Sequence, residues 1–298
     1  MHALNRDAGA IRKKTRSSLR PGVPMEYKVR IIDAKKTSPL GRTLSDIWVS
    51  RELLYFLVWK DIKIRYKQTA IGAAWAVLQP LFAMLIFWFV FGAVLNVETD
   101  VPYPLFAYSG LVLWIFFSTS LNSSTTSIMN NAHILAKVYF PRILLPFSQC
   151  LVGLLDYAVA TVMLIGLLFL FNVAITPWIL LFFIPVLLSI LLASGLSFWL
   201  SATSAKYHDV KYIIPFFVQL LLFVTPIIYP ATAIPPSFSW VVEYNPLAAI
   251  FNAQRAFFLG TGIVDWTPLA ISALISVAAF LLGALYFSRY EREMADVI

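Results

Sequence analysis

Charge is the first thing this chain lacks. Only 13% of its 298 residues are Asp, Glu, Lys or Arg, while 60% are hydrophobic, and a soluble domain of that length needs far more charge to cover its surface. The single cysteine, Cys150, excludes an internal disulfide and any cysteine-rich metal site. The three histidines, His2, His133 and His208, lie far apart and outside the apolar runs, so a metal or haem site within those runs has almost no ligands. None of the 12 glycines belongs to a Gly-x-x-x-x-Gly-Lys-Ser/Thr run, so the chain carries no phosphate-binding loop with which to hydrolyse ATP. A Gly-x-x-x-Gly pair is missing too, which removes that device for pairing helices in lipid.

What is present is apolar sequence of bilayer length. Charge is absent between Lys67 and Glu98, Asp100 and His133, Asp156 and Lys206, Lys211 and Glu243, and Asp265 and Arg289. About 20 apolar residues carry a helix across roughly 30 Å of hydrocarbon. The run from Asp156 to Lys206 is too long for one crossing, and Asn172 with Pro177 predicts a tight hairpin within it. The pattern predicts an all-α integral membrane protein with spans at about 70–95, 105–130, 143–171, 178–203, 212–230 and 267–288.

Residues 1–42 are basic and rich in Ser, Pro and Gly, which reads as a disordered tail. No apolar run lies near enough to the N-terminus for a signal peptide, so the first span is expected to be retained. From Thr43 to about Trp59 apolar residues mix with Arg51 and Glu52, the pattern of an amphipathic helix at the interface. Lys60, Lys63, Arg65 and Lys67 follow directly before the first span, suited to anionic lipid. The six-span layout places 22 of the 23 Lys and Arg residues on one side, all but Arg255. The positive-inside rule then puts both termini in the cytoplasm.

Segment 231–266 is too long for a turn, contains Trp240, Val241, Val242, Leu247, Ile250, Phe251, Phe257 and Phe258, and is broken by prolines. Two short re-entrant helices are expected, because such a patch left in water is a liability and irregular backbone at depth must be satisfied by protein or a wet cavity. The alternative is an ordinary external loop. Asp156 is the one carboxylate well inside a proposed span. It reads either as a hydrogen-bonded packing residue or as a proton acceptor. The polar run Ser118–Ser127 on the second span covers every helix face, so close packing and a cavity lining remain equal readings; the Asn122-Ser123-Ser124 sequon within it is unreachable in a span. Trp88, Phe89, Tyr108, Trp114, Phe117, Phe223 and Tyr229 fit an interfacial aromatic belt. They are also candidate walls of a sugar conduit, since ring faces adhere weakly to sugar C–H edges.

Several stretches taken together resemble the membrane subunits of type-2 ATP-binding-cassette exporters of polysaccharides, which include O-antigen, capsule and teichoic-acid permeases. They are Trp59-Lys60-Asp61-Ile62-Lys63-Ile64-Arg65-Tyr66-Lys67-Gln68-Thr69, Gly72-Ala73-Ala74-Trp75, Leu78-Gln79-Pro80 and Tyr103-Pro104-Leu105-Phe106-Ala107-Tyr108. Further on come Lys137-Val138-Tyr139-Phe140-Pro141-Arg142, Lys206-Tyr207-His208-Asp209-Val210 and Asn245-Pro246-Leu247. The likeness runs from about Leu53 to the C-terminus, with residues 1–42 as an extension.

The resemblance implies a homodimer in the bacterial plasma (inner) membrane, each copy docked on a cytoplasmic ATPase that binds ATP and Mg; this chain needs no cofactor, no metal and no nucleic acid. It implies that about Asn131–Arg142 inserts into an ATPase cleft, with His133, Ile134, Lys137, Val138, Tyr139 and an apolar knob and cation at Phe140-Pro141-Arg142. Lys206, Tyr207, His208 and Asp209 would make a second contact. Segment 43–59 would transmit motion, and Tyr244, Asn245, Pro246 and Arg255 would belong to an external gate. The cargo implied is a lipid-linked glycan, O-antigen ahead of capsule or teichoic acid. A proton-coupled carrier centred on Asp156 and a membrane-embedded glycolipid transferase are the rivals from other classes. Glu98, Asp100, Glu243, Arg255 and Asp265 are too few on the external side to favour the transferase.

Overall fold

The computed structural model describes residues 47–67, 72–138, 140–260 and 264–291. The tail 1–42, residues 43–46 of the predicted interface helix and Tyr139 of the docking segment lie outside these residues. The described residues form helices and connecting segments, with no strand among them.

In chain order the helices are α1 (Arg51–Lys67), α2 (Trp75–Phe87), α3 (Tyr103–Asn130), α4 (Ala132–Leu135), α5 (Leu144–Leu170), α6 (Phe183–Lys206), α7 (Val210–Val224), α8 (Ser239–Glu243), α9 (Pro246–Leu259) and α10 (Trp266–Tyr290). A π-helical stretch, Trp88–Val94, prolongs α2, and a 3-10 turn, Pro177–Leu181, leads into α6. Among the described residues five helical stretches are long and apolar enough to cross a membrane: Trp75–Val94, Tyr103–Asn130, Leu144–Leu170, Pro177–Lys206 and Trp266–Tyr290. The predicted hairpin is present. Asn172 sits at φ 54 and ends α5, a conformation Asn tolerates because its short polar side chain bonds locally, and Pro177 opens the next helical turn.

The expected fifth span, 212–230, differs. Helix α7 stops at Val224, and its 15 residues reach about 22 Å, short of the roughly 30 Å core. Thr225–Ile228 leave the helix yet are buried, which Pro226 and Pro230 enforce by removing backbone donors. The expected interface helix also differs in extent: α1 continues through the basic cluster to Lys67, so Lys60, Lys63 and Arg65 stand on a helix.

Helix α3 is central. Its apolar window is 72% buried, against 11% for the first span. Helix α5 and helix α6 pack on either side of α3, and α10 packs on α6. The α6–α10 seam is built from small residues: a Cβ on Gly195 would fall on the Ala279 carbonyl, and one on Gly283 on the Gly195 carbonyl. Buried Ser194, Ser197, Ser201, Ser272 and Ser276 sit on the same two helices, and two of them satisfy their hydroxyls on their own helix backbone, Ser201 Oγ to Phe198 O at 3.2 Å and Ser276 Oγ to Ser272 O at 2.7 Å. This is the small-residue contact that lipid-embedded helices use, reached without a Gly-x-x-x-Gly spacing.

Helix α9 packs into one end of the bundle against α3, α6 and α10, burying Leu247, Ile250, Phe251, Phe257 and Phe258. At the opposite end a second core joins Leu57 of α1 to Ile128, Phe140, Ile143, Leu144, Phe198 and Phe287. That end carries the loops 131–142 and 204–211 and is called the basic end below; the end with α9 is the far end.

Candidate functional site

At the basic end α1 leans along α5. Leu57 is its one fully buried residue, and beyond it the contacts are polar. Gln149 Nε2 donates to Asp61 Oδ2 at 2.7 Å, Lys60 Nζ to Asn131 Oδ1 at 2.8 Å, and Lys60 also pairs with Asp61 at 3.1 Å. One helical turn farther along, Arg65 and Tyr66 both donate to the Asp156 carboxylate, one to each oxygen. Burial, then the bond to Asp156, pushes the Tyr66 hydroxyl above its ordinary pKa and keeps it a donor. Asp156 is thus ion-paired and hydrogen-bonded, the state in which a carboxylate at membrane depth is tolerable.

A cavity of about 500 Å³ opens beside these residues. Lys60, Asp61 and Arg65 line one wall; Ser123, Thr126, Asn130 and Asn131 line another, with His133 and Gln149 between. This resolves the polar run of α3. Ser120, Ser124, Thr125 and Ser127 are buried, Ser124 donating to Pro146 O at 2.9 Å, while Ser123 and Thr126 face the cavity. Packing and cavity lining are both present, on different faces.

The segment 131–142 is tied at both ends. Asn131 accepts from Lys60 of α1 and donates to Ser127 O at 2.8 Å; at the other end the Arg142 backbone N–H donates to Glu291 Oε1 at 2.9 Å. Between them His133, Lys137 and Val138 are exposed and Ile134 half-buried. Phe140, expected as an apolar knob, lies 6% exposed in the basic-end core against residues such as Leu57 and Phe287, and among the segment's described residues Val138, 55% exposed, is the large apolar group presented. The reason is Pro141, half-buried at the turn into α5, which folds Phe140 back onto the bundle. In the loop before α7, Tyr207, His208 and Asp209 are exposed, and Lys206 Nζ stands 5.6 Å and 5.4 Å from the Tyr207 and Tyr290 ring centres.

The conduit aromatics divide. Tyr108, Trp114 and Phe117 are in the protein core because α3 is the central helix, so they cannot wall a passage. Trp88, Phe89 and Phe223 are exposed, and Tyr229 is half-buried with its hydroxyl donating to Phe223 O at 2.6 Å.

At the far end Asn245 caps α9, its Oδ1 accepting from Leu247 N at 3.0 Å while its Nδ2 donates to Thr225 Oγ1 at 3.0 Å. Pro246 occupies the first helical position, and Tyr244 is 76% exposed. Arg255 is buried. Its guanidinium donates to the carbonyls of Pro226, at 2.8 Å, and Ile227, and lies 3.9 Å over the Phe106 ring. Tyr103 Oη donates to Ile228 O at 2.5 Å. The unwound stretch after α7 is therefore satisfied by side chains from α3 and α9, as backbone at such depth requires.

Residues 52–259 match the family model described as ABC-2 type transporter. The chain belongs to that family. This transporter is 28% identical over 250 residues to the O-antigen export system permease protein RfbA of Klebsiella pneumoniae, covering 83% of its own length and 95% of the relative's. Its likeness to the RfbA of Myxococcus xanthus is 27% over 260 residues, with 86% and 99% covered. The polysialic acid transport protein KpsM of Escherichia coli is 23% identical over 248 residues, with 80% and 93% covered. Among the transporter's described residues no group of three or more His, Cys, Asp or Glu could hold a metal ion.

The reading from sequence missed Lys60, Asp61, Arg65, Tyr66 and Gln149 as a group, treating the cations as lipid-facing. The signal lay in Asp156 itself: a lone carboxylate in a span demands a cation, and four stand together on the one helix that precedes the first span. Phe106 and Gly110, which receive the Arg255 side chain, were missed likewise; a Cβ on Gly110 would come 2.6 Å from Arg255 Nη2.

Proposed function

We propose that this chain is the transmembrane subunit of an ATP-driven exporter that carries a lipid-linked polysaccharide, O-antigen first, from the cytoplasm across the bacterial inner membrane. One observation carries this reading: the likeness to O-antigen export permeases covers 95–99% of their length, so it spans the whole bundle. The chain is not itself an ATPase; in the ABC-2 family hydrolysis belongs to a separate subunit, which would hold ATP and Mg. Both termini are cytoplasmic in this reading, and the basic end meets the motor. Segment 131–142, with His133, Lys137 and Val138 outward, and the exposed Tyr207, His208 and Asp209 are the docking elements. Helix α7 completes the six crossings together with Thr225–Pro230, and α8 with α9 forms the re-entrant external gate.

Two copies are expected to face each other through the least buried helices. The first span is hardly covered, and Phe216, Phe217, Leu220 and Phe223 of α7 are exposed. Between copies Trp88, Phe89 and Phe223 can wall a passage with shallow, sliding contacts; the remaining apolar faces meet lipid. A second reading, a sialic-acid-type polymer, is favoured by the likeness to KpsM.

Reversing the docking chemistry tests the assignment. Lys137→Glu with Val138→Glu, both exposed, should abolish surface glycan while membrane insertion and protein level are unchanged. Normal surface glycan in that variant, or in a strain lacking the partner ATPase, refutes it. Composition analysis of the glycan retained inside distinguishes O-antigen from polysialic acid.

A further inference from the structure

Helix α1 is held on the bundle in an unusual way. Apolar packing anchors it through Leu57 alone among its fully buried residues. Leu53 and Leu54 pack partly buried beside Leu57, and from Lys60 onward the tethers are exchangeable polar contacts in a row: Lys60 to Asn131, Asp61 to Gln149, and Arg65 with Tyr66 to Asp156. The last pair is not sealed. The Arg65 side chain keeps 33% of its surface and Asp156 15%, and Arg65 lines the cavity of about 500 Å³, whose wall sets Ile64, Ile134 and Val152 beside its polar groups.

That combination favours reversible release. A sealed intramembrane ion pair cannot part without stranding a charge in apolar surroundings. Here the parting guanidinium would move into a volume walled by Ser123, Thr126 and Asn130, where hydroxyls, an amide and water replace the carboxylate. Asp156, itself 15% exposed, would take water as donor in place of both. The row of tethers begins at Asn131, the first residue of the segment that meets the motor in the exporter reading, on which this inference rests.

We infer that α1 is a releasable strap and that Arg65, Tyr66 and Asp156 form its latch, acting as positioning residues in the transport step. The latch is engaged while the passage is closed. Displacement of segment 131–142 pulls Lys60 through Asn131, draws α1 from α5 and parts Arg65 from Asp156 into the cavity. Asp156 then has a role in export without accepting a proton.

The test locks the strap in the complete complex with its ATPase. Asp61→Cys and Gln149→Cys, in a chain carrying Cys150→Ser, place two thiols on the cavity wall where the native side chains meet at 2.7 Å, and a short bis-methanethiosulfonate can join both through disulfides that a reductant later cleaves. Cross-linking should abolish glycan export with the complex still assembled, and cleavage of the reagent should restore it. Undiminished export by the cross-linked complex overturns the inference. Failure of the unaltered chain to export any glycan with its ATPase overturns instead the exporter reading. A second arm needs no cysteines: Arg65→Gln and Asp156→Asn should each raise basal ATP hydrolysis several-fold while export falls. Loss of assembled complex with hydrolysis per complex unchanged would mark the pair as merely structural and overturn the latch.

Discussion

The α6–α10 seam allows a sharp test of how this bundle is held. A methyl group added at Gly283 would meet the Gly195 carbonyl, and one added at Gly195 the Ala279 carbonyl, both inside the 3.0 Å that real Cβ atoms hardly ever breach. The obstacles are backbone atoms, so no rotamer change relieves them. Ordinary contact begins near 3.4 Å, so the helices must separate by roughly 1 Å, which forfeits a quarter to a half of the dispersion well for atom pairs along the seam. Overpacking by itself costs about 1–3 kcal/mol, and with no water to expel, packing is what binds helices in lipid. Gly195→Ala and Gly283→Ala are therefore each expected to lose about 3 kcal/mol. Gly166→Ala is the control: nothing lies within 4 Å of its added Cβ, and alanine suits a helix better, so stability should hold or rise. Unfolding of the detergent-solubilised chain by graded SDS, followed by tryptophan fluorescence, measures the three. Equal midpoints for all three variants would refute the reasoning.

Further outcomes follow from the far end and from the sorting of aromatics. Arg255→Leu strands the Pro226 and Ile227 carbonyls, at about 1–3 kcal/mol each, so its unfolding midpoint should drop sharply while Arg255→Lys, able to reach one carbonyl, falls in between; an unchanged midpoint refutes the clamp. Asn245→Ala removes the cap of α9 and its bond to Thr225, a loss of about 1 kcal/mol that hydrogen exchange at Leu247 should report as faster opening, whereas Asn245→Asp keeps the cap. Trp114→Ala and Phe117→Ala empty core volume at about 3–5 kcal/mol and should cut the folded yield. Trp88→Ala and Phe223→Ala should leave folding intact and slow export, measured as newly surfaced glycan; the reverse pattern would reassign these rings.

The long apolar runs, the Asn172 hairpin and the sites of the five spanning helices were legible from sequence because hydrophobic length and Pro or Asn punctuation are local properties. Where α7 ends was not. Thr225–Ile228 are apolar enough to read as helix, and what lets them unwind is Arg255 and Tyr103, distant in sequence. The aromatics failed as a group for a related reason: hydropathy locates a residue along the membrane normal, whereas the centrality of α3 is decided by packing around that axis. Tyr108, Trp114 and Phe117 therefore became core while Trp88 and Phe89 stayed outside. Phe140 was legible as apolar but not as inward, since only the turn at Pro141 points it back into the bundle. The latch was half legible, with Asp156 conspicuous and its partner hidden among cations that topology had already explained.

The clamp at the far end also bears on the order in which the protein can be completed. Helices α3 and α5 pack on each other and leave the ribosome in succession, but the carbonyls of Pro226 and Ile227 wait for Arg255, 29 and 28 residues later. At about 5–20 residues per second of synthesis, that wait is a few seconds. Until then those two carbonyls lack their side-chain donor and must be met by water. Truncation just before Arg255 should therefore leave the turn after α7 unsatisfied and α7 poorly placed, although every one of its own residues is present.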